Sequence, residues 1–170
     1  LEGVIGKPIG DDQIKEAIGV VDENRRLLKQ LFDLRKQANP KATGLEALYA
    51  SITAQFIDKR EHNEQLKKVL AALPGRPMRR KEGVRVMTIG SENDDCAFMA
   101  MVESVGCTIV IDDQCSGTRY FWNETRPEAD PIKAIADRYC DRPACPTKDY
   151  PLHTRFDHVL KLAQDYNARA

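Results

Sequence analysis

The sequence predicts an α/β protein in which a helical N-terminal segment precedes a partial, Rossmann-type parallel βαβ layer. Two observations predict this class. Apolar residues recur at steps of three and four through residues 1–76, as one buried face of each helix requires. Two short runs rich in β-branched residues, Val84–Ile89 and Thr108–Ile111, then follow with a helical pattern between them. The predicted units are a helical segment at 1–76, a linker at 77–83 and an α/β unit at 84–170.

The helical segment is predicted to hold three helices. Asp11 and Asp12 can cap the first, which stops before Pro40 because the residue preceding a proline is pushed out of the helical region. The second helix begins near Thr43, and the third ends at Pro74. The apolar stripe of the first helix, predicted to be buried, consists of Ile14, Ile18, Val21, Leu28, Leu31 and Phe32.

The α/β unit begins with a predicted strand, helix and strand. Asp94 or Asp95 opens the helix between the two apolar runs, and Gly106 closes it. A connection of this kind joins parallel strands and is right-handed in nearly every known case. We therefore expect the strands at 84–89 and 108–111 to lie side by side and parallel.

Two further helices are predicted at 131–140, with Asp130 as the cap, and at 152–166. Two strands alone do not make a stable parallel sheet, which normally has several strands and is covered on both faces. The chain also begins with Leu1 rather than Met. We expect a piece of a longer protein, completed by other protein or by chain beyond Ala170.

Composition excludes some functions. The chain has 26 basic and 26 acidic side chains, and this zero net charge argues against a nucleic-acid partner, which would need a basic surplus. No apolar run approaches the roughly 20 residues that span a bilayer, so no membrane partner is expected. Five cysteines, an odd number without a dense framework, predict a reducing compartment and hence a cytoplasmic protein.

Two polar segments follow the predicted strands, at the carboxyl ends where open α/β sheets bind ligands. Residues 90–95, GSENDD, carry three acids that would repel a phosphate, so capping of the next helix is the alternative to a ligand site. Residues 112–122, DDQCSGTRYFW, combine acids, a thiol, an arginine and three aromatic residues. The candidate substrate-binding or pocket residues are Ser91, Asp113, Cys115, Ser116, Gly117, Arg119 and Trp122.

The roles within residues 112–122 stay open at this point. Arg119 could bind a ligand carboxylate or phosphate in bidentate fashion, or it could pair with Asp112 or Asp113. The aromatic residues could line a pocket, anchor an interface with another protein chain or close the core. The two acids could also hold a magnesium ion.

The cysteines form no complete metal motif. Four residues separate Cys140 from Cys145, whereas two residues separate the usual thiolate pairs, and no third and fourth ligand follow. Cys115 and Cys145 are the metal-ligand candidates, without a set that would complete a site. The histidines are isolated and are predicted to be surface or capping residues: His62, His153 and His158.

Three ordered motifs resemble the central part of the benzoyl-CoA reductase and 2-hydroxyacyl-CoA dehydratase family. They are VRVMTIGSENDD at 84–95, VESVGCTIVIDDQCSGTRYFW at 102–122 and DPIKAIADRYCDRPACPTKD at 130–149. The segments at 1–18 and 24–36 also resemble the family, so the resemblance covers essentially the whole chain. The details GSENDD and RPACPTKD most resemble the B-type subunit of the ATP-dependent benzoyl-CoA reductase.

The resemblance implies a flavodoxin-like α/β domain at 84–170 and a heterodimer with a homologous second subunit. It also implies a 4Fe-4S cluster in the full-length subunit, with ligands expected outside this chain, although Cys115 and Cys145 match recurrent motif positions. A separate ATP-hydrolysing iron–sulfur activator would deliver low-potential electrons. The substrate would be an aryl- or acyl-CoA thioester, and the first expectation is reduction of the aromatic ring of benzoyl-CoA. The alternative is a 2-hydroxyacyl-CoA dehydratase, which removes water through a radical.

Two other classes compete with an enzyme subunit. A non-catalytic α/β binding module, such as a signalling receiver, would place a magnesium ion at Asp112 and Asp113. A pure assembly domain would show a large exposed apolar patch and no convergent polar pocket.

Overall fold

Helices fill the first 75 residues of the chain. A computed structural model describes residues 1–77, 81–145, 149 and 154–169. The second helix of the predicted three begins with the expected cap: the Thr43 hydroxyl accepts the Glu46 N–H at 3.1 Å, and the Glu46 carboxylate accepts the Thr43 N–H at 2.9 Å. The helices are α1 (Glu2–Ile5), α2 (Asp11–Asp33), α3 (Gly44–Phe56) and α4 (Lys59–Ala72), with 3₁₀ turns at Leu34–Lys36 and Leu73–Gly75.

The rest of the chain alternates strands and helices. Asp95, rather than Asp94, caps α5, since its carboxylate accepts the Phe98 N–H at 2.8 Å. Asp130 caps α7 as predicted, with its carboxylate 2.8 Å from the N–H of Ile132. The elements are β1 (Val84–Ile89), α5 (Cys96–Ser104), β2 (Cys107–Asp113), α6 (Thr118–Phe121), α7 (Pro131–Asp141) and α8 (Thr154–Asp165).

The two strands form a parallel pair, which confirms the predicted α/β class. Val84 lies opposite Cys107 and Ile89 opposite Asp113, so both strands end at the same edge of the sheet. The register shifts between Val86 and Met87, where one residue of β2 is skipped. Among the described residues these two strands are the whole sheet.

Helices cover both faces of the strand pair. On one face, Ile109 packs with Leu48 of α3 and Met99 of α5. On the other face Val110 belongs to the largest apolar cluster, in which the rings of Phe32 and Phe121 meet edge to face with centroids 4.7 Å apart. The fully buried members of this cluster from the helices include Leu28, Leu31 and Phe32 of α2, Phe121 of α6 and Leu162 of α8. The helical segment and the α/β unit therefore share one core.

Two buried arginines add polar ties between these parts. Arg35 donates from Nη1 to the carbonyl oxygen of Ile109 at 3.3 Å, and burial lowers the pKa of its guanidinium. Arg85 of β1 donates to the carbonyl oxygens of Tyr166 at 2.6 Å and of Arg35 at 2.8 Å. Backbone oxygens that end helices are thereby satisfied from within the sheet.

The structure corrects two predicted features of the first helix. It ends at Asp33 rather than just before Pro40, because the chain tightens into a 3₁₀ turn and Asn39 takes a left-handed φ of 51°. The stripe residues Ile14, Ile18 and Val21 are only half-buried, since no described residue packs over that side of α2 as the core does farther along.

Some predictions fall where the structure gives no description. Residues 78–80 of the predicted linker and 150–153, which include the predicted start of the last helix and His153, lie outside the described residues. Two short helices, α1 and α6, were not predicted. Within the described part of the chain, no helix is long and apolar enough to span a membrane.

Candidate functional site

The two predicted polar segments meet at the carboxyl edge of the strand pair. The Cys115 N–H donates to the Ser91 carbonyl oxygen at 2.7 Å. The Ser116 hydroxyl donates to the carbonyl oxygen of Asn93 at 2.9 Å. The loop after β1 and the loop after β2 are therefore joined directly, and we call the residues 90–95 and 112–119 together the strand-end site.

Asp113, the last residue of β2, carries the most deeply buried charge of the strand-end site. Its side chain is 0% exposed. Its Oδ2 atom lies 2.8 Å from Nη1 of Arg119 and 2.5 Å from Nη2 of Arg155. These contacts are ion pairs by distance, although neither oxygen of the carboxylate meets hydrogen-bond geometry with a described residue. One carboxylate thus faces two guanidinium groups, and we call these three side chains the Asp113 cluster.

Arg119 ties the two loops together from α6. Its Nη1 donates to the backbone oxygen of Asp113 at 2.6 Å, and its Nη2 donates to the carbonyl oxygens of Gly90 at 2.6 Å and Ser91 at 3.0 Å. Burial alone would lower the pKa of this guanidinium, but the Cys115 thiol, 3.4 Å from Nη2, and the Asp113 carboxylate raise it. Arg119 is therefore a buried, permanent cation whose Nη donors point at the chain itself. The internal pairing considered as the alternative to ligand binding is present.

Arg155 is a member of this site that sequence reasoning missed. Asp149 positions the start of α8, because its carboxylate accepts the Thr154 hydroxyl at 2.9 Å and the Arg155 N–H at 3.0 Å. The side chain of Arg155 then reaches Asp113, which lies 42 positions earlier in the chain. No local spacing links residues that far apart. Only the need of a buried acid for a cation could have suggested a partner from the last helix.

Asp112 starts α6 instead of facing a ligand. Its Oδ1 accepts the N–H of Thr118 at 2.8 Å, and its carbonyl oxygen accepts the Thr118 hydroxyl at 2.7 Å. Burial raises the pKa of Asp112, against the bonds from Thr118 and the charge of Arg35. Gly117 must be glycine here, because a Cβ atom would lie 2.0 Å from Oδ1 of Asp112. With both acids engaged by donors of the chain, the arrangement disfavours the magnesium interpretation of a signalling receiver.

Three of the candidate residues reach toward the surface of the strand-end site. Ser91 is exposed, and Cys115 and Ser116 are half-buried. Their backbones are fixed by the bonds between the loops, so a hydroxyl, a thiol and several polar backbone groups are held in one place. Such an arrangement can bind and orient a polar group of a substrate or of another subunit.

Trp122 lies in a different place from the other candidates. Its ring meets His158 edge to face with centroids 5.1 Å apart, and Lys29 Nζ lies 4.9 Å from its ring centroid. Trp122 and His158 border a cavity of about 610 Å³ together with Cys140 and Cys145. The structure therefore separates Trp122 and Cys145 from the strand-end site.

His158 is half-buried and differs from the surface or capping role predicted for it. Burial lowers the pKa of His158, while the Asp113 carboxylate opposes this shift, and its Nε2 atom is buried without a hydrogen-bond partner among the described residues. His62 is also buried: its Nδ1 lies 2.7 Å from the amide nitrogen of Asn24. Isolated histidines were therefore misassigned because sequence spacing does not show which helices cover them.

The described residues do not fit an iron–sulfur cluster on their own. At 1–77, 81–145, 149 and 154–169, no three His, Cys, Asp or Glu side chains are grouped so that they could hold a metal ion. The Cys115 thiol is instead in contact with the guanidinium of Arg119. We therefore derive no chemical step through a cluster from these residues.

Comparison with known proteins identifies the family. The sequence model of the family described as "2-hydroxyglutaryl-CoA dehydratase, D-component" matches residues 1–170, the entire chain. The chain belongs to this family. The match includes both loops of the strand-end site and the α8 segment that supplies Arg155, and it confirms the resemblance found in the sequence motifs.

Two curated proteins named for enzymes of this kind are similar to the chain. The (R)-phenyllactyl-CoA dehydratase beta subunit of Clostridium sporogenes is 27% identical over 169 residues, which cover 99% of this chain and 45% of that protein. A benzoyl-CoA reductase subunit of Thauera aromatica is 29% identical over 138 residues, covering 80% of this chain and 36% of that protein. The chain thus spans less than half the length of these relatives. The narrower assignment to a B-type subunit stays a prediction.

Proposed function

We propose that the chain is part of a subunit of an enzyme that reduces the aromatic ring of benzoyl-CoA. The observation that carries the proposal is the family match over all 170 residues, since the similar proteins are subunits named for CoA-thioester enzymes. The similarity to a benzoyl-CoA reductase subunit supports the reductase branch. The motif GSENDD, on which the narrower resemblance depends, forms half of the strand-end site.

In this proposal the strand-end site binds and orients, and the Asp113 cluster holds it rigid. Arg119 fixes the carbonyl groups of both loops, and Arg155 pins the same carboxylate from α8. Ser91, Cys115 and Ser116 are then the groups placed to contact the thioester substrate or the neighbouring subunit. A site whose supporting bonds are buried keeps its geometry when a substrate arrives, so little ordering is needed on binding.

The proposed assembly follows from the family. It comprises a homologous second subunit, a separate ATP-hydrolysing iron–sulfur activator, and a 4Fe-4S cluster in the full-length subunit with its ligands outside the described residues. The proposed location is the cytoplasm. The support for partners is that both relatives are named as subunits.

A 2-hydroxyacyl-CoA dehydratase is the second candidate function. Two observations favour it: the description of the matching family and the alignment of a phenyllactyl-CoA dehydratase subunit over 99% of the chain. The two candidates share the thioester and differ in the reaction, because one adds electrons and protons to a ring and the other removes water from a hydroxyacyl group.

A paired substrate assay distinguishes the two functions. The full-length protein is produced anaerobically with its homologous partner and activator, then supplied with ATP, a strong reductant and either benzoyl-CoA or phenyllactyl-CoA. Ring reduction predicts a dienoyl-CoA product from benzoyl-CoA only. Cinnamoyl-CoA formed from phenyllactyl-CoA, with benzoyl-CoA unchanged, would refute the reductase proposal and support the dehydratase, and turnover of neither substrate would refute both.

Ser91→Ala tests the role of the strand-end site in whichever reaction is found. The Ser91 side chain is exposed, so we expect unchanged thermal stability and reduced turnover. Ser104→Ala is the matched control, because Ser104 is an exposed serine at the end of α5. Equal activity of both variants would remove Ser91 from the proposed site.

A further inference from the structure

A second cavity lies away from the strand-end site, between α1, the N-terminal half of α2 and α7. Its volume is about 870 Å³, within the range of roughly 300–1,000 Å³ that small-molecule sites occupy. We call it the α2–α7 groove. Neither the family assignment nor the proposed function gives it a role.

The walls of the α2–α7 groove are apolar. Ile14, Ile18 and Val21 line it from α2, at the helical spacing that predicted burial in the core. Ile132 and Ile135 line it from α7, and Ile132 is 59% exposed. The chain therefore presents facing aliphatic stripes from two helices without filling the space between them, so apolar surface there stays in contact with water.

One end of the groove is basic, and part of that charge is buried. Arg138 is 4% exposed, and it donates to the carbonyl oxygens of Tyr120 at 2.7 Å and Asn123 at 3.2 Å. Among the described residues no carboxylate forms an ion pair with it. Burial lowers the pKa of Arg138, and the nearby charge of Arg25 lowers it further.

The second guanidinium at this end does not offset the first. Arg25 lines the groove and forms an ion pair with Asp22, whose carboxylate also accepts the N–H of Thr125 at 3.1 Å from each oxygen. Two guanidinium groups therefore share one carboxylate, which leaves one positive charge in excess. A buried cation without a counter-ion is costly, so an anionic group from outside is stabilised at this end.

The opposite end of the groove is acidic. Glu2 and Asp11 line it and are exposed. Asp11 and Arg25 lie on the same helix, 14 positions apart, which separates them by about 21 Å along α2 at 1.5 Å per residue. A ligand with a negative charge at each end would be repelled at this acidic end.

We propose that the α2–α7 groove binds a small monocarboxylate with an apolar body, its carboxylate at Arg138 and Arg25 and its apolar part between the isoleucines of α2 and α7. The charge polarity of the groove sets the orientation, and its aliphatic walls supply most of the buried area. Because a single anionic head is matched, dicarboxylates and amines are poor ligands.

Matched small probes test the proposal without any catalytic assay. Titration calorimetry on the 170-residue chain compares 4-phenylbutyrate with its neutral amide, with 4-phenylbutylamine and with suberate, an aliphatic dicarboxylate. We expect saturable binding of 4-phenylbutyrate and affinities at least about tenfold lower for the other three, the loss of one charge-assisted contact. Isoleucine methyl resonances in NMR should shift for Ile14, Ile18 and Ile132. No saturable binding, equal affinity of acid and amide, or shifts confined to other regions would overturn the proposal.

Variants locate the site. Arg138→Gln should weaken 4-phenylbutyrate binding about tenfold and leave the amide unaffected. Because Arg138 also bonds to backbone oxygens, Ile135→Glu is a second variant that places a negative charge in the wall and should abolish binding of the acid. Val69→Glu, in the separate apolar cavity between α3 and α4, is the control and should change nothing.

The same titration on the full-length protein completes the test. Retained binding supports a ligand site, and loss of binding there would show that other protein fills the groove and would overturn the proposal. Failure of this proposal leaves the proposed thioester chemistry untouched, because the assays share no readout.

Discussion

The charge arithmetic of the Asp113 cluster predicts an order of destabilisation. Asp113→Asn leaves two buried guanidinium groups facing each other without their carboxylate. We expect a loss of about 4 kcal/mol in the free energy of unfolding, within the range of roughly 3–5 kcal/mol for uncompensated buried charges. Arg155→Gln instead leaves one carboxylate with one guanidinium, so we expect a smaller loss of about 1–2 kcal/mol.

Arg119→Gln should fall near Asp113→Asn, at about 3–4 kcal/mol. It removes one ion pair and also the donors to the carbonyl oxygens of Gly90, Ser91 and Asp113. Loss of these donors leaves buried acceptors unsatisfied, which adds to the cost of the lost charge.

Urea unfolding of each variant, followed by circular dichroism, measures this order. The control is Arg26→Gln, which breaks the exposed pair of Arg26 with Glu124 and should change the free energy of unfolding by less than about 1 kcal/mol. The effect at Asp113 should persist at high salt, because buried pairs are screened little. An Arg155→Gln variant as unstable as Asp113→Asn would refute the reasoning that one guanidinium is in excess.

Three further predictions concern single side chains. Burial, reinforced by a nearby lysine, lowers the pKa of His62 below 6.5, so its stabilising contribution is fully present above about pH 6.5 and is lost as the pH falls toward the folded-state pKa; urea midpoints should decrease on acidification in the wild type and less in His62→Gln. Gly117→Ala should cost about 2 kcal/mol or more through its steric clash, whereas Gly19→Ala, which meets nothing within 4 Å in α2, should stabilise by about 0.5–1 kcal/mol; thermal unfolding of both checks this, and similar effects would contradict it. Asp95→Ala should cost about 1 kcal/mol by removing the cap of α5, and an unchanged urea midpoint would show that the cap is not needed.

Local patterns predicted most of the elements of the fold. Short β-branched runs marked β1 and β2, and acidic residues before apolar helical patterns marked the starts of α5 and α7. These features depend on neighbours in sequence, so propensity and capping chemistry are sufficient to find them. The early end of α2 was missed because it depends on the left-handed conformation of Asn39.

The strand-end site was predicted in position and only partly in content. The topological rule for parallel strands places residues 90–95 and 112–117 together, and the structure brings them into direct hydrogen-bond contact. The partner of Asp113 on α8 could not be found this way, because the pairing depends on how a distant helix packs. Trp122 was grouped with the site by sequence proximity alone, whereas the turn of α6 carries it to another cavity.

The shared core limits how the chain can be divided. Phe32 packs on Phe121 across the two parts, and Arg35 reaches the backbone of β2, so cleavage within residues 77–83 would uncover apolar surface on each product. Two separately synthesised halves should each stay unstructured or aggregate. Mixed together, they should recombine as a non-covalent complementation pair, in the way that a nicked but intact globule holds its pieces.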